Sequence, residues 1–281
     1  MPNLAVIGHP VAHSRSPAMQ TAALSELGLA GEWTYGALDV APQDFEAEVA
    51  ELAAAGEYAG VNVTVPHKEA ALAMADEATA AARAIGAANT LTFGAGRIAA
   101  ANTDAGGLLR SLPGGLAAPS GRALVLGAGG AARAAIWALG HGGEGAPGAD
   151  GEPTAIEAFQ VDVWNRTAER GEAVAAALGA RAVAEPDAAD YALIVNTTAV
   201  GLAGEDPFAH LPIAADSFVP GQVVVDMVYG EEPSPLLAAA AAAAATVVDG
   251  LEMLVQQGAL SLRIWTGEEP DIAAMRTAAR R

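Results

Sequence analysis

The 281-residue sequence contains no cysteine, which excludes a disulfide scaffold, thiolate metal ligands and a thiol nucleophile. Cations are scarce: 14 Lys and Arg against 33 Asp and Glu leave a formal net charge of −19. Phosphate neutralisation needs clustered Lys and Arg, so nucleic acid is not an expected partner. Long apolar runs are missing too. The longest, 236–245, holds eight consecutive alanines and falls well short of the roughly 20 residues of a membrane span. The opening MPNLAVIGHP has no basic leader and reads as a first strand rather than a signal peptide, so a soluble, cytoplasmic protein is expected. No histidine belongs to a Ser/His/Asp constellation with a nucleophile elbow, and no glycine turn ends in the lysine-serine of a P-loop.

What is present is concentrated in two stretches. Residues 121–134 read GRALVLGAGGAARA, an apolar strand entering a glycine turn that opens an alanine-rich helix. That is a backbone built to receive a dinucleotide pyrophosphate: Gly127 for the tight turn, Gly129 for close approach, small Ala132 for helix–strand packing. Residues 61–68 read VNVTVPHK and place Lys68 just past a proline, where a strand cannot continue. A lysine there, upstream of a nucleotide-binding unit, points to an oxidoreductase acting on a small substrate docked between two domains. Hydrophobic residues at 52% and charged residues at 17% exclude disorder, and the length suits two domains with separate cores.

The expected class is α/β. Strands at 4–8, 33–40, 61–65 and 90–93 alternate with helical stretches near 17–28, 42–55 and 68–86, which predicts a substrate domain with a mainly parallel sheet. Strands at 123–126, 159–164, 192–196 and 223–227 have the spacing of a Rossmann dinucleotide-binding domain. Residues 140–153, rich in Gly, Pro and acid, read as a surface loop. From Leu251, apolar residues recur at Leu254, Val255, Gly258, Leu262 and Trp265, the stripe of a long terminal helix.

Anionic ligands conflict with an acidic chain, so Lys68, Arg133, Arg166 and Arg170 gain weight from lying near the motifs. His9 and His13 are four apart, a metal spacing only on a helix; Pro10 and Pro17 make the segment a loop, and no metal is expected. Ser14 and Ser16 stand before Pro17 and suit either a helix cap or a carboxylate site at a helix N-terminus. Gln257 lies beside the apolar stripe of the terminal helix, where pattern alone makes it a solvated boundary residue.

Nine stretches in order carry a family resemblance: GHPVAHSRSP at 8–17, NVTVPHK at 62–68, GAANT at 86–90, NTDAGG at 102–107, GAGGAARA at 127–134, NRT at 165–167, NTT at 196–198, DMVY at 226–229 and DGLEMLVQQG at 249–258. Over nearly its whole length the chain resembles the shorter, single-function shikimate dehydrogenases. The resemblance implies reversible NADPH-dependent reduction of 3-dehydroshikimate to shikimate, a step of aromatic amino-acid biosynthesis. It implies that Ser14, Ser16 and Tyr229 hold the ring carboxylate and that Thr64, Asn89, Asp104 and Gln257 bind ring hydroxyls. Lys68 and Asp104 become the catalytic pair. NADP would lie on Gly127, Ala128, Gly129, Gly130 and Ala131, with Asn165, Arg166, Thr167 and Arg170 around its adenosine phosphate and Thr198, Met227 and Gly250 beside its nicotinamide. The terminal helix then joins the first domain: residues 1–104 and 250–281 form a discontinuous substrate domain, 105–249 the NADP domain, and the active site is the cleft between them. A monomer or homodimer is expected.

These residue types fit the chemistry. Hydride transfer makes or consumes charge on a carbinol oxygen, which therefore needs a proton relay and a cationic neighbour; a lysine oriented by a carboxylate supplies both. The sequence departs from the family at Gly230-Glu231, where Asn-Pro is usual, and at Gln20, where histidine is common. A quinate/shikimate dehydrogenase using NAD is the nearest alternative. NAD sites usually end the second strand with an acid for the ribose 2′-OH, whereas Trp164-Asn165-Arg166-Thr167 has none. A non-catalytic dinucleotide-binding regulator is the other alternative, against which the Lys68–Asp104 pair counts.

Overall fold

A computed structural model of the chain describes residues 2–114, 121–142 and 157–281. By its internal contacts the chain divides into two units, Met1–Gly107 with Leu254–Arg281, and Leu108–Met253.

In the first unit the chain runs β1 (Asn3–Gly8), α1 (Ser16–Glu26), β2 (Thr34–Asp39), α2 (Phe45–Ala55), β3 (Tyr58–Val63), α3 (Lys68–Ala73), β4 (Glu77–Ala78), α4 (Ala80–Ile85), β5 (Thr90–Gly94) and β6 (Arg97–Ala101), and then enters α5 (Asp104–Ser111). The six strands form one sheet in the order β2-β1-β3-β5-β6-β4. β1 lies between parallel β2 and β3, whereas β5 runs antiparallel to both β3 and β6. Leu4, Ala5, Val6 and Ile7 are all buried, as a strand covered on both faces requires. Ala5, Ile7, Val61, Val63 and Leu91 pack with Phe45 and Val49 of α2 in one core cluster.

The single helical stretch expected over 68–86 is divided. α3 ends at Ala73, β4 pairs in parallel with β6, and α4 begins after Thr79, whose hydroxyl accepts the Ala82 N–H at 3.1 Å. Asp76 drives the break: its N–H donates to Ile98 O at 2.9 Å and its carboxylate accepts the Ile98 N–H at 2.8 Å, tying this segment to the sheet edge. The third strand also starts and ends earlier than 61–65, because Val65 and Pro66 belong to the turn before α3.

The second unit runs β7 (Arg122–Leu126), α6 (Gly130–His141), β8 (Gln160–Trp164), α7 (Ala168–Leu178), β9 (Arg181–Ala182), β10 (Leu193–Asn196), β11 (Val223–Asp226), α8 (Pro235–Ala242) and β12 (Thr246–Asp249). Its sheet is parallel throughout, in the order β12-β11-β10-β7-β8-β9. β7, β10 and β11 are central, and their near-continuous apolar runs are buried. Leu124, Leu126, Ile194 and Val224 pack there against Leu236 and Leu237 of α8. Within the acid- and glycine-rich segment 140–153, Gly140 and His141 complete α6 and Gly142 caps it; the rest lies outside the described residues.

The chain closes with α9 (Gly250–Thr266) and a further helix, α10 (Ile272–Ala279), capped by Asp271. Among the described residues no helix is long and apolar enough to cross a membrane.

Candidate active site and nucleotide site

In the first unit, β3 gives way to a turn that ends at α3, whose first residue is Lys68. The Lys68 Nζ donates to Asp104 Oδ2 at 2.6 Å, and the two side chains are only 12% and 3% exposed. A cation at a helix N-terminus is disfavoured by the dipole, so this contact with a buried carboxylate supplies the offset. Asp104 opens α5, and its second oxygen accepts the Asn89 Nδ2 at 2.9 Å. The same amide donates to Gln257 Oε1 at 3.0 Å, while Gln257 Nε2 donates to Leu254 O within its own helix. Lys68, Asp104, Asn89 and Gln257 therefore form one linked group drawn from α3, α5, the approach to β5, and α9. Gln257 is buried, not the solvated boundary residue that helical pattern alone suggests.

Of the other residues expected around the substrate, Thr64 sits just beyond β3 and is half-buried. Ser16 is not the cap of α1. It is the helix's first residue, the capping position falls to Arg15, and Ser14 Oγ accepts the Ser16 N–H at 3.2 Å. Ser14 thus supports the helix start, and the buried Ser16 hydroxyl is no cap. His9 and His13 lie outside any helix; the His9 Nδ1 meets Asp39 Oδ1 at 2.6 Å. Tyr229 belongs to the second unit, beyond the end of β11.

In the second unit the strand order is that of the doubly wound dinucleotide-binding sheet, whose ligands bind beyond the carboxyl ends of the strands at the switch point. Here that point lies between β7 and β10. Gly127 has φ +118°, and a Cβ on it would lie 2.5 Å from Thr197 Oγ1, so no other residue fits. A Cβ on Gly129 would meet nothing, which leaves its face open for close approach by a ligand. Gly129 caps α6, a twelve-residue helix that starts at Gly130 and Ala131 and presents its N–H groups at this turn. Ala128 is buried, and Ala132 packs at 0% exposure. These features suit a pyrophosphate.

Past β8, Asn165 Nδ2 donates to Thr167 O at 2.8 Å, and Thr167 caps α7. Arg166, Thr167 and Arg170 are exposed, and Glu169 lies in the first turn of α7. Asn196 joins the ends of two strands: its Oδ1 accepts from the Thr198 N–H at 3.1 Å and hydroxyl at 2.7 Å, and its Nδ2 donates to Asp226 Oδ1 at 2.9 Å. Burial pushes the Asp226 carboxyl above the ordinary range, offset in part by donors from Ser234, Val228 and Asn196. Met227 follows directly, and Gly250 lies so close that a Cβ there would be 2.5 Å from Met227 O.

Sequence reading missed several participants. Thr103, Thr90 and Asn62 stand inside motifs already singled out, but with no role assigned; Asn196 and Asp226 are similar. Tyr35 and Ser261 carry no signal in the sequence at all.

Fold and site together define an α/β nucleotide-dependent oxidoreductase architecture: a doubly wound dinucleotide-binding sheet in one unit and a buried lysine–carboxylate pair in the other. The family model for the shikimate dehydrogenase substrate binding domain matches residues 6–91, and that for the shikimate 5′-dehydrogenase C-terminal domain matches 250–280. The shikimate dehydrogenase (NADP(+)) of Thermus thermophilus is 44% identical over 281 residues, covering 100% of this chain and 98% of that protein. The crystal structure of a Thermus thermophilus shikimate 5-dehydrogenase in complex with NADP(H) and shikimate aligns with a TM-score of 0.84 at 43% identity, covering 100% of this chain and 99% of that one. A ligand-free 5-ketofructose reductase from Gluconobacter aligns at 0.80 and 30% identity, covering 99% and 97%. The chain belongs to the shikimate dehydrogenase family.

Proposed function

We propose that this protein catalyses the reversible NADPH-dependent reduction of 3-dehydroshikimate to shikimate, with Lys68 and Asp104 as the catalytic pair. The observation that carries this is the Lys68–Asp104 contact of 2.6 Å, continued through Asn89 to Gln257, in a chain 44% identical end to end to a shikimate dehydrogenase (NADP(+)). In the reductive direction Lys68 Nζ gives a proton to the carbonyl oxygen as it becomes a hydroxyl. In the oxidative direction it takes that proton back. Asp104 holds the Nζ in place and stabilises its ammonium form. Bound NADP(H) supplies or accepts the hydride.

Ser14, Ser16 and Tyr229 bind the ring carboxylate, and Thr64, Asn89, Asp104 and Gln257 the ring hydroxyls. Gly127, Ala128, Gly129, Gly130 and Ala131 receive the pyrophosphate; the open face of Gly129 and the start of α6 support this. Asn165, Arg166, Thr167 and Arg170 surround the adenosine phosphate, and Thr198, Met227 and Gly250 flank the nicotinamide. Residues 1–104 and 250–281 then act as the substrate domain and 105–249 as the NADP domain. The enzyme works in the cytoplasm as a monomer or homodimer.

The test is the near-ultraviolet absorbance of reduced nicotinamide on mixing the protein with shikimate and NADP+, repeated with quinate and with NAD+. Turnover that favours shikimate and NADP+ is expected. Faster turnover of quinate with NAD+ would move the protein to the quinate dehydrogenases, and no turnover would leave a dinucleotide-binding regulator.

A further inference from the structure

Behind the linked group of Lys68, Asp104, Asn89 and Gln257 lies a second layer of polar side chains with no place in the proposed chemistry. Tyr35, on β2, is buried, and its hydroxyl donates to Asn62 Oδ1 at 2.7 Å. Burial pushes the Tyr35 pKa far up, so the hydroxyl keeps its proton and remains a donor. That bond fixes which way the Asn62 amide faces. Its Nδ2 points to Ser261 Oγ at 2.8 Å and to Asn89 O at 3.2 Å. Ser261, on α9, is 0% exposed, and its one proton goes to Gln257 O at 3.0 Å.

Matching hydroxyl donors to acceptors then leaves two arrangements, which differ only in which threonine donates to Ser261. Ser261 Oγ has two acceptor positions; Asn62 fills one, and a threonine fills the other. Thr90 Oγ1 stands at 2.9 Å and Thr103 Oγ1 at 3.0 Å. The threonine that does not donate to Ser261 has Asn89 Oδ1 as its acceptor, at 3.2 Å from either hydroxyl. Ser261 thus touches neighbours of all three ligand-facing side chains: Thr90 next to Asn89, Thr103 next to Asp104, and the carbonyl of Gln257 itself. A buried polar string is costly unless every member is satisfied, and this one is.

We propose that Tyr35, Asn62 and Ser261 are positioning residues, a one-directional buried hydrogen-bond string that sets the orientation of Asn89, Asp104 and Gln257 toward the substrate hydroxyls. The string starts at Tyr35, whose proton has a single acceptor, and runs through the Asn62 amide and the Ser261 hydroxyl to the carbonyl of Gln257. This rests on the function proposed above.

Tyr35→Phe removes one oxygen atom and leaves the ring in place; Ser261→Ala removes the hub. With shikimate and NADP+ as the assay pair, each variant should lose about 3- to 10-fold in kcat/KM for shikimate, the scale of one net hydrogen bond. The KM for NADP+ should not move. The double variant should be no worse than the poorer single one, because both act through one string. Unchanged kcat/KM for shikimate in Tyr35→Phe, even with a lowered Tm, would overturn the inference, as would losses that multiply in the double variant. If Ser261→Ala does not fold, Tyr35→Phe decides alone. Absence of turnover in the unaltered protein would instead overturn the functional reading, and this inference with it.

Discussion

A Cβ on Gly107 would lie 2.6 Å from the Cβ of Gln257, 2.8 Å from its backbone N and 2.9 Å from its Cα. α5 and α9 meet there with nothing between them but hydrogen, three residues after Asp104 opens α5. That close approach lets Asn89 reach both the Asp104 carboxylate and the Gln257 amide. Gly107 of the NTDAGG motif therefore serves the geometry of the site as well as the packing of two helices.

Gly107→Ala is expected to force the helices apart. The obstacles are the Cβ, N and Cα of Gln257, none of which can swing aside, so the cost should be the ~1–3 kcal/mol of an overpacked core. A lower Tm together with a lower kcat/KM for shikimate is the expected result. An unaltered Tm would mean that the helices separate freely and that the contact has no structural role.

Lys68→Ala should reduce kcat by about 10²–10⁴, the range for a lost acid/base group, with a smaller change in KM. Steady-state kinetics with shikimate and NADP+ provide the measurement. A near-normal kcat would remove Lys68 from the proton transfer and leave its 2.6 Å contact with Asp104 as a structural ion pair.

Arg166 is exposed just beyond β8, free to stack on an adenine and pair with phosphate oxygens. Arg166→Ala should lower kcat/KM for NADP+ by at least about tenfold and leave the value for NAD+ nearly unchanged. Equal losses with both cofactors would show that the residue serves the adenine or the fold rather than the 2′-phosphate.

Ser16→Ala should weaken shikimate more than an analogue lacking the carboxylate, by about 10-fold or more for one hydrogen bond to a charged group. Because Ser16 is not the cap of α1, little change in Tm should accompany the loss. Equal weakening of both ligands in a binding titration would sink the carboxylate assignment.

Asp162 contributes to the pH dependence of the second unit. Burial acts to raise its pKa, but donors from Arg181 at 2.6 Å, Arg122 at 2.8 Å and Tyr191 at 2.8 Å outweigh that and hold it below the ordinary carboxylate range. A depressed carboxylate pKa means stability that is present above the unfolded value of about 3.9 and is lost as pH falls through the folded pKa. The Tm of the unaltered protein should therefore fall steeply below about pH 4. Asp162→Asn should be less stable near neutrality and show a shallower acid limb. Parallel acid limbs in the two proteins would rule out Asp162 as the source.

The sequence by itself determined what depends on neighbours along the chain. The apolar runs of β7, β10 and β11, the glycine turn at Gly127 and Gly129, and the stripe of α9 are local patterns, read from periodicity and turn chemistry alone. So was the choice of Lys68, which stands out because a strand cannot pass Pro66. Only the tertiary structure decided features that depend on partners far along the chain. The break between α3 and α4 exists because Asp76 binds the backbone of Ile98, and the reversal at β5 follows from its pairing with β3 and β6. The second layer of the site is the clearest case. Tyr35, Asn62 and Ser261 are ordinary residues in a strand, a motif and a helix. Hydrogen bonds spanning 27 and 199 residues make them one string, and no local pattern encodes a contact whose two halves are specified by different parts of the fold.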